Sequence, residues 1–138
     1  MFLMTVALAA CGDTVGLTGD DPGVLPGGAV TATAITPEAR PAGVVEVRFE
    51  NTGALGYSFN PCTRLVEREE GEGWVALPPE LRLCAAVVVE LDAGATILDG
   101  ADVPADAAPG RYRFVFPMLE DVAGGRSVSI RSTPFSVR

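Results

Sequence analysis

Histidine and lysine are both missing from this chain of 138 residues, and every one of its ten basic residues is arginine. Without histidine there is no Ser-His or Cys-His nucleophile pair, and no imidazole set for copper. Without lysine there is no Schiff base and no Ser-Lys dyad. The formal net charge is −8, which excludes nucleic acid as a partner, because phosphate binding needs clustered cations. It also argues against docking on anionic headgroups by charge alone. Long apolar runs are lacking: Phe2–Ala10 is the longest at the N-terminus, too short for a permanent membrane span. Helical periodicity is lacking too, with a single helical turn near Pro78-Glu80-Leu81 as the most that could form. Gly27-Gly28 and Gly124-Gly125 have no strand–loop–helix context around them and make no phosphate cradle. No enzyme activity, cofactor or metal is expected.

What is present begins with Leu8-Ala9-Ala10-Cys11. Small residues there let a peptidase reach the backbone, and the thiol can carry a lipid through a thioether. The stretch resembles the lipobox of bacterial lipoproteins. Residues 1–10 then read as a signal peptide, although no Lys or Arg precedes Cys11. Either translation starts upstream of Met1 or the signal is atypical; a core strand ending in cysteine is the alternative. Residues 11–28 are rich in Gly, Asp, Thr and Pro and read as a lipidated cysteine followed by a flexible linker. Asp13, Asp20 and Asp21 read as spacer residues rather than calcium ligands.

Lipidation of Cys11 leaves Cys62 and Cys84 as an even pair, 84 − 62 = 22 positions apart. An exported chain permits a disulfide between them; two buried thiols are the alternative. Two thiols without histidine supply half of a tetrahedral zinc set.

From residue 29 to residue 138 the signals are those of strands. Val45, Val47 and Phe49 alternate with Glu46, Arg48 and Glu50, a period of two with one wet face. Ala29–Ile35, Leu55–Phe59, Thr96–Val103, Arg111–Pro117, Ser127–Arg131 and Pro134–Val137 are further segments. Thr63–Glu69 and Trp74–Leu77 flank Glu70-Gly71-Glu72-Gly73 and predict a hairpin. Cys84–Leu91 contains Ala85-Ala86-Val87-Val88-Val89, which predicts a buried strand. The class is all-β, an antiparallel sandwich of about eight short strands. The carboxylates Glu67, Glu69, Glu70 and Glu72 read as a solvated hairpin face, and Asp99, Asp102 and Asp106 as turn residues.

The order Val45–Thr52, Gly56–Cys62, Leu65–Val75, Cys84–Gly94 and Pro109–Phe114 resembles bacterial immunoglobulin-like domains, over roughly residues 29–138. The resemblance implies a sandwich and an envelope address, on the periplasmic face of a membrane or the cell surface, and no reaction. It also implies that Tyr112, in Pro109-Gly110-Arg111-Tyr112, makes a tyrosine corner. Phe114 stands where antibody domains carry their second core cysteine, so the Cys62–Cys84 pair would staple an excursion outside the core. The functional expectation is a non-catalytic, lipid-anchored module for protein interaction or structural support. Its partners are the membrane, through the lipid, and an unidentified protein or glycan. Two alternatives are a protease inhibitor presenting Glu70–Gly73 or Glu120–Gly125, and a glycan binder using Trp74 as a stacking platform.

Overall fold

The computed structural model describes residues 29–138. The expectations for the 1–10 leader, for Cys11, for the 11–28 linker and for its aspartates lie outside the described residues. The described part is all-β, in two sheets of mainly antiparallel strands. The described residues form eleven strands where the sequence pattern suggests about eight.

The smaller sheet has the order β1 (Val30–Ala34), β3 (Val44–Asn51), β8 (Thr96–Asp102). The larger is built on β9 (Gly110–Glu120), whose eleven residues have two partners on each side. On one side lie β4 (Tyr57–Phe59) and β5 (Leu65–Glu70), and on the other β10 (Ser127–Arg131) and β11 (Phe135–Val137). Proline explains why those neighbours come in halves. Pro61 opens a short 3-10 turn, Pro61–Thr63, between β4 and β5, and Pro134 separates β10 from β11. Proline has no N–H to give to a ladder. The extra strand count comes from these breaks and from β2 (Glu38–Ala39), a two-residue strand parallel to β11. The remaining strands are β6 (Gly73–Ala76), paired with β5, and β7 (Val89–Leu91), paired with β4.

The period-two reading of Val44–Glu50 is matched by burial: Val45, Val47 and Phe49 are fully covered while Val44, Glu46 and Arg48 are not. Tyr112, Phe114, Phe116 and Met118 of β9 face them across the core. Phe49 lies 4.8 Å, centroid to centroid, from both Phe59 and Phe116, the latter edge-on. Such aromatic pairs add about 1 kcal/mol each to the area they bury. Where β10 ends, Ser132 and Thr133 tie the sheets together. Ser132 Oγ accepts from the Phe114 amide (3.0 Å), Thr133 N–H donates to the Ala32 carbonyl (3.0 Å), and Thr133 Oγ1 accepts from the Ala34 amide (2.9 Å).

One predicted strand is overturned. Of Cys84–Leu91 only Val89–Leu91 is strand; residues 77–88 form no strand at all. Val87 and Val88 are 55% and 64% exposed. An apolar run becomes a strand only where an edge receives it. Here β7 joins β4 in the large sheet, so the run leaves the edge of β8 without a partner strand.

The β9–β10 turn is closed by a buried carboxylate. Glu120 accepts from Arg126 Nη2 (2.9 Å), Arg126 Nε (3.3 Å) and the Arg126 amide (3.2 Å). A Cβ on Gly125 would fall 2.1 Å from the Glu120 carbonyl oxygen, so only glycine fits. The bonds from Arg126 hold the Glu120 carboxyl below its ordinary pKa. A depressed carboxyl stabilises the fold above its unfolded pKa, about 4.3, and the contribution fades as pH falls through the folded value. Thermal melts of wild type and Glu120→Gln should therefore differ most near neutral pH and converge in acid. A difference that stays constant from neutral to acid pH would rule this out.

Candidate functional site

The two sheets are unequal in width, and that inequality makes a groove. β8 is the edge of the three-stranded sheet, while the β5–β6 hairpin extends the large sheet beyond it. Inward-facing positions on β5 are Arg64, just before the strand, then Val66 and Arg68. Leu77 N–H donates to the Val66 carbonyl (2.8 Å), and Pro78-Pro79 then carry the chain off the sheet. The turn after β8 closes the opposite wall, with the Ala107 amide donating to the Pro104 carbonyl (3.1 Å). The resulting groove has a volume of about 380 Å³. Its apolar lining includes Val66, Leu77, Pro78, Pro104, Ala107 and Tyr112, and its charged lining Arg64, Arg68, Arg82, Glu80 and Asp106.

The arginines are held differently. The Arg64 side chain is 3% exposed and donates through Nη2 to the Asp102 carbonyl oxygen, with the Asp102 carboxylate 3.7 Å away. Its guanidinium carbon stands 5.4 Å from the centre of the Phe114 ring, and its Nε is buried without an acceptor. Burial, then the like charge of Arg82, lowers its pKa to about 10, against the partial relief given by Asp102 and Asp99. Arg68 donates to the Pro109 carbonyl (3.3 Å) and lies over the Tyr112 ring at 5.9 Å. Arg82 pairs with Glu80, two residues earlier on the same segment.

The far end of that segment is tethered by a disulfide. Cys62 and Cys84 are bonded, with their Cα atoms 5.6 Å apart. Asn60 braces both sides of the bond: its Oδ1 accepts from the Cys62 amide (3.0 Å) and its Nδ2 donates to the Ala85 carbonyl (2.9 Å). The disulfide therefore staples the excursion between β5 and β7 rather than the aromatic core.

No protein-family model and no curated protein sequence matches this chain. The geometry of its own residues carries the functional argument.

Tyr112 donates its hydroxyl to the Ala108 carbonyl, four residues upstream, at 2.7 Å. Trp74 sits on β6 and is partly exposed; the Arg113 guanidinium covers its ring at 4.3 Å from the centroid. The glutamate run is not one solvated face. Glu67 is largely buried and accepts from Arg113 Nε at 2.6 Å, with Arg131 Nε at 3.5 Å. Glu69 takes Arg111 Nη1 on both oxygens (2.9 and 3.0 Å). Only Glu70 and Glu72 are exposed. The reason is register: β5 lies directly against β9, which puts Glu67 opposite Arg113, and cross-strand charges of opposite sign pair. Asp99 accepts from the amide of Gly100 (2.9 Å), Asp102 holds Arg64 from behind, and Asp106 lines the groove. Among the described residues no group of three or more acidic, cysteine or histidine side chains is placed to hold a metal ion.

The predicted inhibitor loops are both tight turns. Glu70–Gly73 encloses a two-residue link with Gly71 at φ +61°, and Glu120–Gly125 is closed by the Glu120–Arg126 bonds. Arg64, Arg82 and Asn60 are the site residues that sequence reasoning did not single out. For Arg64 a signal existed, since it shares the parity of Val66.

Proposed function

We propose that this chain is a non-catalytic, lipid-anchored protein of the bacterial envelope, carrying one immunoglobulin-like module for protein interaction or structural support. The observation that carries the reading is the pairing of Leu8-Ala9-Ala10-Cys11 with a disulfide-bonded sandwich beginning near residue 29. Stable disulfides belong to oxidising compartments, and a lipoprotein cysteine brings the two or more acyl chains that stable anchoring needs. Three features support the immunoglobulin-like assignment: the two-sheet order, the parallel pairing of β2 with β11, and the Tyr112–Ala108 bond. The inhibitor reading loses support from the tightness of both turns. The glycan reading loses support because Arg113 already stacks on Trp74.

The test is metabolic labelling with palmitate in a bacterial host, followed by membrane fractionation. Wild type should take up label and sediment with membranes, and Cys11→Ala should do neither. An unlabelled wild-type chain in the soluble fraction would end the proposal.

A further inference from the structure

We propose that the groove between β5 and the turn after β8 binds a small free carboxylic acid with an apolar tail, its carboxylate held between Arg64 and Arg82. The inference concerns a ligand site and stands whether or not Cys11 is acylated. Three arginines line the same concavity in a chain whose net charge is −8, and of these Arg68 already donates to the Pro109 carbonyl. Another, Arg64, is nearly fully buried, keeps one N–H without an acceptor and has only a distant carboxylate at 3.7 Å. A buried guanidinium in that condition is short of negative charge. An incoming carboxylate supplies negative charge beside Arg64 and takes charge-assisted bonds, which are stronger than neutral ones, from the more accessible Arg82. Apart from Arg68, Glu80 and Asp106 the remaining lining is apolar: Pro78, Pro104, Ala107 and Tyr112 offer nothing to a polar tail except the Tyr112 hydroxyl, already committed to Ala108. The volume of about 380 Å³ sits at the lower end of the range for small-molecule pockets, which favours a free small acid over a polypeptide.

Glu80 is the internal competitor. It pairs with Arg82 at the rim and so occupies one of the two arginines proposed to hold the ligand with a carboxylate of the chain itself. Removing it should help the ligand, which a merely structural role for Glu80 would not do.

The experiment is calorimetric titration of the full 138-residue chain, disulfide intact, with hexanoate and with hexanamide as probes. Hexanoate should saturate a single site, and hexanamide should bind about tenfold more weakly or worse, the value of one charge-assisted bond. Arg82→Gln should weaken hexanoate by about tenfold on the same ground, Glu80→Gln should tighten it, and Ala108→Phe, which adds bulk to the groove wall, should abolish it. Arg82 and Glu80 lie on an irregular segment outside both sheets, so these two variants keep the test open if Ala108→Phe fails to fold. Equal binding of hexanamide, no saturation by hexanoate, or indifference to Arg82→Gln overturns the proposal. So does binding of acetyl-Ala-Ala-Leu with a free C-terminus where hexanoate does not bind, since the site would then read a chain end.

Discussion

Replacing Asn51 with alanine should cost about 3 kcal/mol of stability, more than its place in a turn would suggest. Asn51 is 1% exposed, at the end of β3. Its Nδ2 donates to the carbonyls of Leu55 (2.7 Å), Leu91 (3.1 Å) and Asp92 (3.0 Å), and its Oδ1 accepts from the Gly53 amide (3.0 Å). One amide thus fastens the small sheet to the loop before β4 and to the turn after β7. Alanine strands the Leu91 carbonyl in the interior and frees the others, and each unsatisfied buried group costs roughly 1–3 kcal/mol. Urea unfolding followed by far-ultraviolet circular dichroism should show a lower midpoint with an unchanged slope. A loss below about 1 kcal/mol, the ordinary value of one hydrogen bond, would mean that water replaces the amide. Asn51→Asp separates the two contributions further. A carboxylate there would face three carbonyl oxygens, so its folded pKa would rise above the usual value of about 3.9. A raised folded pKa stabilises only below the unfolded value and fades as pH rises. Asn51→Asp should therefore be worse than alanine at neutral pH and recover on acidification.

The same residue shows where reading a sequence stops. Asn51-Thr52-Gly53 is legible as a turn, because Asn and Gly accept turn geometry; that its amide reaches Leu91, forty positions later, is not a local property. Alternation located β3 and the inward aromatics of β9, since one-sided burial writes a period of two, and β-branched composition located β1. Sequence pattern failed on two counts. Arg113 and Val115 of β9 point away from the core and are nonetheless buried, because β5 and β10 lie on either side and their side chains, with Trp74, cover that face. Ala85–Val88 has the composition of a core strand and no edge to join. Both failures concern which strand neighbours which, and pairing is decided by the whole chain. The groove was half legible. The parity that buries Val66 also turns Arg64 inward, whereas the shortfall of the three-stranded sheet that opens the groove appears only once both sheets are counted.

Removing the disulfide, as Cys62→Ala/Cys84→Ala, should cost about 3 kcal/mol by loop-closure entropy for a loop of 22 residues. The loss should also be uneven in space. Residues 77–88 contribute no strand, and their fixed points are few: the Leu77–Val66 bond at one end, and the Cys84 bridge with the Asn60–Ala85 contact at the other. Within the segment Leu81 and Leu83 are fully exposed, so little apolar burial holds it down. Without the bridge the segment should open while β9 and its neighbours persist, because local opening follows local contact and burial. Limited proteolysis should then cut between residues 78 and 88 in the double variant under conditions where wild type is intact, and wild type treated with a thiol reductant should behave the same way. Arg82 would move with the segment, so hexanoate binding should weaken as well. An unchanged urea midpoint together with an unchanged cleavage pattern would show that the sheets alone order this excursion. A domain that depends on the bridge to this degree keeps its groove only where thiols are oxidised, which ties the ligand site to the compartment in which the chain is proposed to reside.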